Sequence, residues 1–331
     1  MRRREGGRPH PAVAAVRVAV RASLADLDPA DLVLVACSGG ADSLALADGL
    51  AFVAAEQGRP AGAVVVDHGL QDGSAAVARA AAATLRGLGL DPVEVVTVAV
   101  TPSSGEGVEA AARTARYAAL DEAAARLGAA VVLLGHTRDD QAEQVLLGLV
   151  RGSGARSLGG MPAARDHHRR PLLRTPREQT RAACEAEGLA WWDDPMNEDP
   201  AFTRVRARRA LADLERDLGP GVPAALARTA DLLREDADHL DGLADTAVAA
   251  LGPGPWPVED VAHLPRAVRT RVWRRLLVAA GAPAGQVSAR HAEACDRLLT
   301  GWHGQGPVHA PGDLRVARID GRVTIAPATP V

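Results

Sequence analysis

The sequence predicts an α/β protein: a doubly wound, mostly parallel sheet followed by a smaller, mainly helical domain. Three observations lead there. Short Val-, Leu- and Ala-rich runs alternate with longer amphipathic stretches through the first half, the pattern of parallel strands covered by helices. The glycines and carboxylates of unusual spacing sit where those runs end, which is where such sheets bind ligands. After position 151 the pattern changes to Gly-, Pro- and Arg-rich loops between short helices.

Residues 32–37 read as a first buried strand, followed by Ser38-Gly39-Gly40 and a helix from about Ser43. A second strand at 63–67 leads to a helix near Ser74, and a third at 92–98 to a long helix over 106–127. The fourth strand, 130–135, precedes a helix over 139–150. Residues 175–188 are helical and 191–197 form a loop; Pro220 and Pro223 flank a boundary before a long helix over 224–251. Two further helices follow, over 265–280 and 288–300, and the tail 307–326 alternates like short strands around Pro311-Gly312 and Asp320-Gly321. The expected division is a flexible N-terminus over 1–10, a nucleotide-binding catalytic domain over 11–219, and a mainly helical domain with a short β tail over 220–331.

Composition narrows the chemistry. A chain of 331 residues has room for two domains, and with 2% aromatic residues Ala, Val and Leu must fill the cores. No run approaches the roughly 20 apolar residues of a membrane span. The apolar segment 12–24 is interrupted by Arg17 and Arg21, unlike a secretory signal, so a cytoplasmic location and no membrane partner are expected. Cys37, Cys184 and Cys295 form no CxxC pair, which argues against a disulfide scaffold, structural zinc or an iron–sulfur cluster. The chain contains no lysine, so all 38 basic residues are arginine. That excludes the Walker A lysine, the kinase β3 lysine, a pyridoxal Schiff base and a lysyl-adenylate ligase. Net charge is −3, yet eight arginines lie between 151 and 181 and five between 266 and 275, while Arg204, Arg206, Arg208 and Arg209 meet no acid. Such patches suit selective binding of a polyanion.

The strongest motif is Ser38-Gly39-Gly40-Ala41-Asp42-Ser43, set between a hydrophobic strand and a helix. Two glycines let successive backbone N–H groups turn into one concavity, and the helix N-terminus adds partial positive charge where phosphates would sit. Ser38 and Ser43 can donate hydroxyls; Asp42 makes sense there if it holds a Mg²⁺ that neutralises a polyphosphate. The plainer alternative is a glycine turn with a helix cap. The second constellation is Gly135-His136-Thr137-Arg138-Asp139-Asp140-Gln141-Ala142-Glu143 after the fourth strand. Its carboxylates open a helix, where the macrodipole favours them, and Asp139 and Glu143 share a face. They read either as a cap or as metal and substrate ligands.

The first motif resembles the loop of the PP-loop ATP pyrophosphatases, which cleave ATP between the α and β phosphates; the missing lysine agrees, since that loop works through backbone and hydroxyls. The second, continued by Leu149-Val150-Arg151-Gly152-Ser153-Gly154 and Gly159-Gly160-Met161, is similar specifically to the tRNA(Ile)-lysidine synthases. Further matches are Asp67-His68-Gly69-Leu70, Glu109 with Arg113, Arg116 and Tyr117, Arg170-Pro171-Leu172-Leu173, Asp194-Pro195 with Asn197, and Phe202-Thr203-Arg204 with Arg206 and Arg208. They cover residues 30–215 densely and the remainder weakly. Val205 stands where the family usually has Asn, and Gln144 where Thr is common.

The resemblance implies an enzyme using ATP and Mg²⁺ to adenylate O2 of the wobble cytidine of tRNA(Ile) with a CAU anticodon, releasing pyrophosphate. Free L-lysine then attacks C2 through its ε-amine, expelling AMP and leaving lysidine. It places ATP at Ser38, Gly39, Gly40, Ala41, Asp42 and Ser43, catalysis at Asp42, Asp139 and Arg204, and Mg²⁺ at Asp42 and Asp139. Substrate contacts fall to Arg113, His136, Asp140, Glu143 and Arg208, whereas Arg206 and Arg209 lean toward surface or internal pairing. The patches at 151–181 and 266–275 would add sequence-independent RNA affinity. Trp191, Trp192, Tyr117 and Phe202 are the candidates for base stacking, and at least one Trp is expected in the core. Asp67, Glu109, Asp140 and Glu143 all suit the lysine ammonium. The sequence allows a homodimer but carries no signal for one. Thiolating PP-loop enzymes are disfavoured by the absence of CxxC, small-molecule PP-loop synthetases by the Arg-rich second half, and a non-enzymatic nucleotide sensor by the paired carboxylates.

Overall fold

The computed structural model describes residues 8–69, 71, 73–100 and 107–328, apart from the side chains of Val108 and Glu109. Most of the expected flexible N-terminus, Leu70, the side chain of Glu109 and the expected start of the 106–127 helix lie outside the described residues. The chain forms two compact units, residues 1–232 and 233–331. A second domain was expected to begin at 220. The break between the two compact units lies inside a continuous helix, and nothing between Pro223 and Leu251 interrupts its helical ladder.

The first unit opens with α1 (Pro11–Ser23), whose N-terminal proline is pre-set for a first turn and whose Val13, Val16 and Val20 recur on a buried face. The apolar segment interrupted by Arg17 and Arg21 is thus a core helix. Then come β1 (Leu32–Ala36), α2 (Ala41–Gln57), β2 (Ala61–Asp67), α3 (Ser74–Gly87), β3 (Val93–Thr97), α4 (Val108–Leu127), β4 (Ala129–Leu134) and α5 (Arg138–Val150). Each matches an expected element to within a few residues. Beyond lie α6 (Ala155–Leu158), the two-residue strands β5 (Ala164–Arg165) and β6 (His168–Arg169), α7 (Arg177–Ala186), a 3₁₀ turn at Pro195–Asn197 and α8 (Thr203–Leu218). Strands this short carry no periodicity, so β5 and β6 were not legible beforehand.

The sheet order is β3-β2-β1-β4-β6-β5, parallel throughout except for the β5–β6 hairpin at its edge. Val33, Leu34 and Val35 of β1 are fully buried because helices cover both faces, as near-continuous apolar strands require. One face packs on α1, α2, α3 and α7; Leu120, Ala123 and Ala124 of α4 cover the other. The chain runs outward from β1 through β2 to β3, then returns to place β4 on the opposite side of β1. That reversal opens a crevice at the carboxyl ends of β1 and β4.

The boundary helix is α9 (Val222–Leu251). The second unit contains β7 (Trp256–Pro257), α10 (Val258–Ala262), α11 (Arg266–Ala279), α12 (Ala289–Thr300), β8 (Val308–Ala310), β9 (Leu314–Ile319) and β10 (Arg322–Pro327). The four strands make an antiparallel sheet ordered β7-β10-β9-β8, packed with the helices around fully buried Trp273. The expected basic patch at 266–275 is largely neutralised within this unit. Arg269 donates to both oxygens of buried Asp296 and to the carbonyls of Ala262 and Leu264. Arg266 pairs with Glu293, Arg271 with Asp241, and Arg275 with Asp241 and Asp245. These arginines staple helices together, because acids distant in sequence meet them in space.

Candidate active site

The loop after β1 and the loop after β4 meet. A Cβ added at Gly135 would lie 3.1 Å from the Cα and N of Ser43 and 3.2 Å from the carbonyl carbon of Asp42. Only glycine lets the end of β4 approach the first turn of α2 so closely. Both corners line one cleft of about 670 Å³, inside the roughly 300–1,000 Å³ typical of small-molecule sites. Every lining residue belongs to the first unit.

Ser43 braces the phosphate loop from within: its hydroxyl donates to the Gly40 carbonyl at 2.9 Å and accepts the Ser38 amide at 3.2 Å. Gly39 takes φ +85°, a left-handed conformation that favours glycine, and its carbonyl accepts the Trp192 amide at 3.0 Å. The 191–197 loop thus backs the phosphate loop. Trp192 lines the cleft, whereas Trp191 packs against the core. The Gly40 N-cap leaves the first amides of α2 without a side-chain cap, a ready anion site.

Opposite stands a carboxylate group gathered by Arg177, which the sequence marks only as one arginine of the 151–181 run. Arg177 Nε lies 3.4 Å from Asp42, Nη2 lies 2.6 Å from Asp140 and Nη1 lies 3.3 Å from Glu143. Burial opposes the Arg177 charge, but Asp140, Glu143, Asp42 and Asp139 together hold it more firmly protonated than usual. Burial likewise pushes the Asp42 carboxyl above its usual range, against the Thr180 hydroxyl that donates to it and the nearby Arg177. Glu143 is 2% exposed and also accepts Arg208 Nε at 2.9 Å, leaving Oε2 buried without a hydrogen-bond partner among the described residues.

The adjacent carboxylates Asp139 and Asp140 take different places. Thr137 and Asp140 form a capping box on α5: Asp140 Oδ2 accepts the Thr137 amide at 2.7 Å and hydroxyl at 2.9 Å. Burial raises the Asp140 pKa, but Arg177, His136 and Thr137 outweigh it and hold the carboxyl below its usual range. Asp139 is not among the residues lining the cleft; its Oδ2 accepts the Arg177 backbone amide at 2.8 Å, capping α7. Arg177 thus brings Asp42 together with Asp140 and Glu143, while Asp139, the partner the sequence suggests for Asp42, stands outside the cleft lining. His136 lines the cleft with Nδ1 unpaired among the described residues, and burial lowers its pKa to about 3, so the ring is neutral.

A basic wall completes the cleft: Arg113 and Arg116 from α4, Arg204 and Arg208 one turn apart on α8. Arg113 lies over the Tyr117 ring at 4.9 Å, and Arg170 donates to the Tyr117 hydroxyl at 3.2 Å. Arg206 and Arg209 instead bond carbonyls of the 198–201 loop. Of the other arginines in 151–181, Arg169 pairs with Asp26, and the exposed Arg174 and Arg181 pair at the surface with Asp231 and Asp193. Asp67, one candidate for the lysine ammonium, accepts the Gly69 amide at 3.0 Å and does not line the cleft, whereas Asp194, noted above only as part of a family match, and Glu198, not foreseen, do.

A family model described as a PP-loop domain matches residues 15–215, and one described as the TilS substrate binding domain matches 257–324. The tRNA(Ile)-lysidine synthase of Thermobifida fusca is 55% identical over 321 residues, 96% of this chain and 98% of that protein. That of Streptomyces coelicolor is 53% identical over 349 residues, covering 96% of this chain and 99% of the relative. The chain belongs to the tRNA(Ile)-lysidine synthase family. Within that family the first unit is the ATP-using PP-loop domain. Among solved structures, a U34-tRNA thiolase, NcsA from Methanococcus maripaludis with its [4Fe-4S] cluster, matches with a TM-score of 0.58 at 19% identity, over 68% of this chain and 80% of the other. That likeness is one of fold. Cys37 and Cys184 are buried in the first core and Cys295 in the second, and burial pushes the Cys184 and Cys295 thiols up to about 12. Among the described residues, no group of three cysteines is brought together.

Proposed function

We propose that this chain is a tRNA(Ile)-lysidine synthase: it ligates free L-lysine to C2 of the wobble cytidine of CAU-anticodon tRNA(Ile) through an adenylated tRNA, giving lysidine, AMP and pyrophosphate. The observation that carries the reading is the contact of the two strand-to-helix corners, acidic on one side of a single cleft and arginine-lined on the other. A carbonyl oxygen is a poor leaving group and adenylate a good one, so ATP and the base must share one enclosure.

In this reading the amides of residues 38–43 and the α2 N-terminus hold the triphosphate. Asp42 and Glu143 fit a Mg²⁺: both face the cleft, and Glu143 keeps one buried oxygen without a hydrogen-bond partner among the described residues. When bound, that ion would neutralise phosphate charge. Asp139 acts at one remove, capping the helix whose first residue is Arg177. Arg204, Arg208 and Arg113 would stabilise the charge that develops as pyrophosphate and AMP depart. Neutral His136 can hydrogen-bond substrate without adding charge.

The test is incubation of the protein with ATP, Mg²⁺, radiolabelled lysine and CAU-anticodon tRNA(Ile), with an active relative alongside. Label in the tRNA with equimolar AMP and pyrophosphate is expected. Unlabelled tRNA beside a working control would reject the reading.

A further inference from the structure

The β5–β6 hairpin carries a second cluster of ligating side chains, outside the cleft. His167 Nε2 lies 3.0 Å, and His168 Nε2 3.2 Å, from the same oxygen, Oδ1 of Asp121 on α4. The two imidazoles lie 4.3 Å apart, tilted by 35°. Among the described residues this is the one group of three His, Cys, Asp or Glu side chains whose ligand atoms converge, all within 4.8 Å.

Hydrogen bonding does not account for the arrangement. Both Nε2 atoms are buried, and neither makes an aligned hydrogen bond among the described residues despite the short separation from Asp121. The two N···O separations suit shared ion coordination. Ligand atoms about 2.0–2.2 Å from a shared ion are separated by roughly 3.0 Å at right angles and about 3.4 Å at tetrahedral angles. Both N···O distances already fall in that range. The surroundings hold the donors in place: Tyr117 meets the His168 ring edge-on at 5.1 Å, and the turn is set by Asp166 at φ +54°.

We propose that Asp121, His167 and His168 form a site for a divalent transition-metal ion of the Zn²⁺ type, joining the β5–β6 hairpin to α4. Two imidazoles and one carboxylate select such ions over Mg²⁺, which takes oxygen ligands, so the site is chemically separate from the nucleotide's ion. Asp121 is half exposed, which leaves solvent water to complete the coordination. Its consequence reaches the cleft. α4 also carries Arg113 and Arg116, and Arg170, next after β6, holds the Tyr117 hydroxyl. An ion here would steady the arginine wall from behind.

The experiment uses the full chain, stripped with chelator and titrated with Zn²⁺ in excess Mg²⁺ by calorimetry, alongside Asp121→Asn and His167→Gln. One Zn²⁺ per chain is expected, with affinity lowered by more than about 100-fold in each variant, since even second-shell changes cost 10–100-fold. Zn²⁺ should raise the melting temperature of the parent protein and leave those of the variants unmoved, while all three melt alike without metal. Zn²⁺ affinity that is equal in parent and variants, or a parent melting temperature indifferent to Zn²⁺, overturns the proposal and leaves the trio as a polar contact.

Discussion

Replacing Gly135 by alanine tests whether the contact between the two corners makes the site. The new Cβ would sit 3.1 Å from two backbone atoms of Ser43 and 3.2 Å from the Asp42 carbonyl carbon. Comfortable carbon contacts are about 3.5–4.0 Å, so the corners must part by roughly 0.4–0.9 Å. Every obstructing atom is backbone, so no rotamer change relieves the clash. Overpacking of this kind costs roughly 1–3 kcal/mol, and a chain of this size loses about 2–4 °C of melting temperature per kcal/mol, so a drop of about 2–12 °C is expected. Activity should fall further, because a displacement near 1 Å costs about 100-fold in rate. Gly49→Ala provides the comparison: its Cβ would meet Val16 Cγ1 at 2.8 Å and Val20 Cγ2 at 3.3 Å, overpacking α1 against α2 away from the cleft. Pyrophosphate release and lysine incorporation, measured well below both melting temperatures, should be near the parent's for Gly49→Ala and reduced about 10- to 100-fold for Gly135→Ala. Equal losses in both variants, or an unimpaired Gly135→Ala, would refute the reasoning.

Arg177→Met should destabilise the protein by about 3–5 kcal/mol in urea unfolding at neutral pH, since Asp42, Asp140 and Glu143 lose a mostly buried partner; a loss below about 1 kcal/mol would show the pairing to be incidental. Asp42→Asn should abolish turnover without lowering stability at neutral pH. The folded pKa of Asp42 is raised by burial, so its favourable contribution is fully present only below its unfolded pKa and is lost as pH rises through the folded one. Paired melts should show the variant's relative advantage shrinking as pH is lowered toward about 4, and a variant clearly less stable than the parent at neutral pH contradicts the sign. His136, held at about 3, should show no imidazole titration by NMR between about pH 5 and 8. A midpoint near the ordinary value would mean that the ring is solvated.

Much of the site was readable before any coordinates. The apolar runs at 32–37, 63–67 and 130–135 place three strands because a strand buried on both faces must be apolar throughout. The glycines and hydroxyls of residues 38–43 mark a phosphate loop because backbone amides can converge only where side chains are small. What pattern could not supply was partnership. Asp139 and Asp140 are neighbours with the same chemistry, yet one caps α7 and the other caps α5 and binds Arg177. Arg177 reaches Glu143 across 34 positions and Asp42 across a still longer separation, beyond any local spacing rule. The arginines at 266–275, unopposed in the sequence, find Asp241, Asp245, Glu293 and Asp296 on other helices. Local sequence therefore determined the strands, the loop and the chemical types present, because those depend on a residue and its near neighbours. Which charges meet, and which face the cleft, was decided by tertiary packing, because Coulomb and hydrogen-bond partners are set by distance in space.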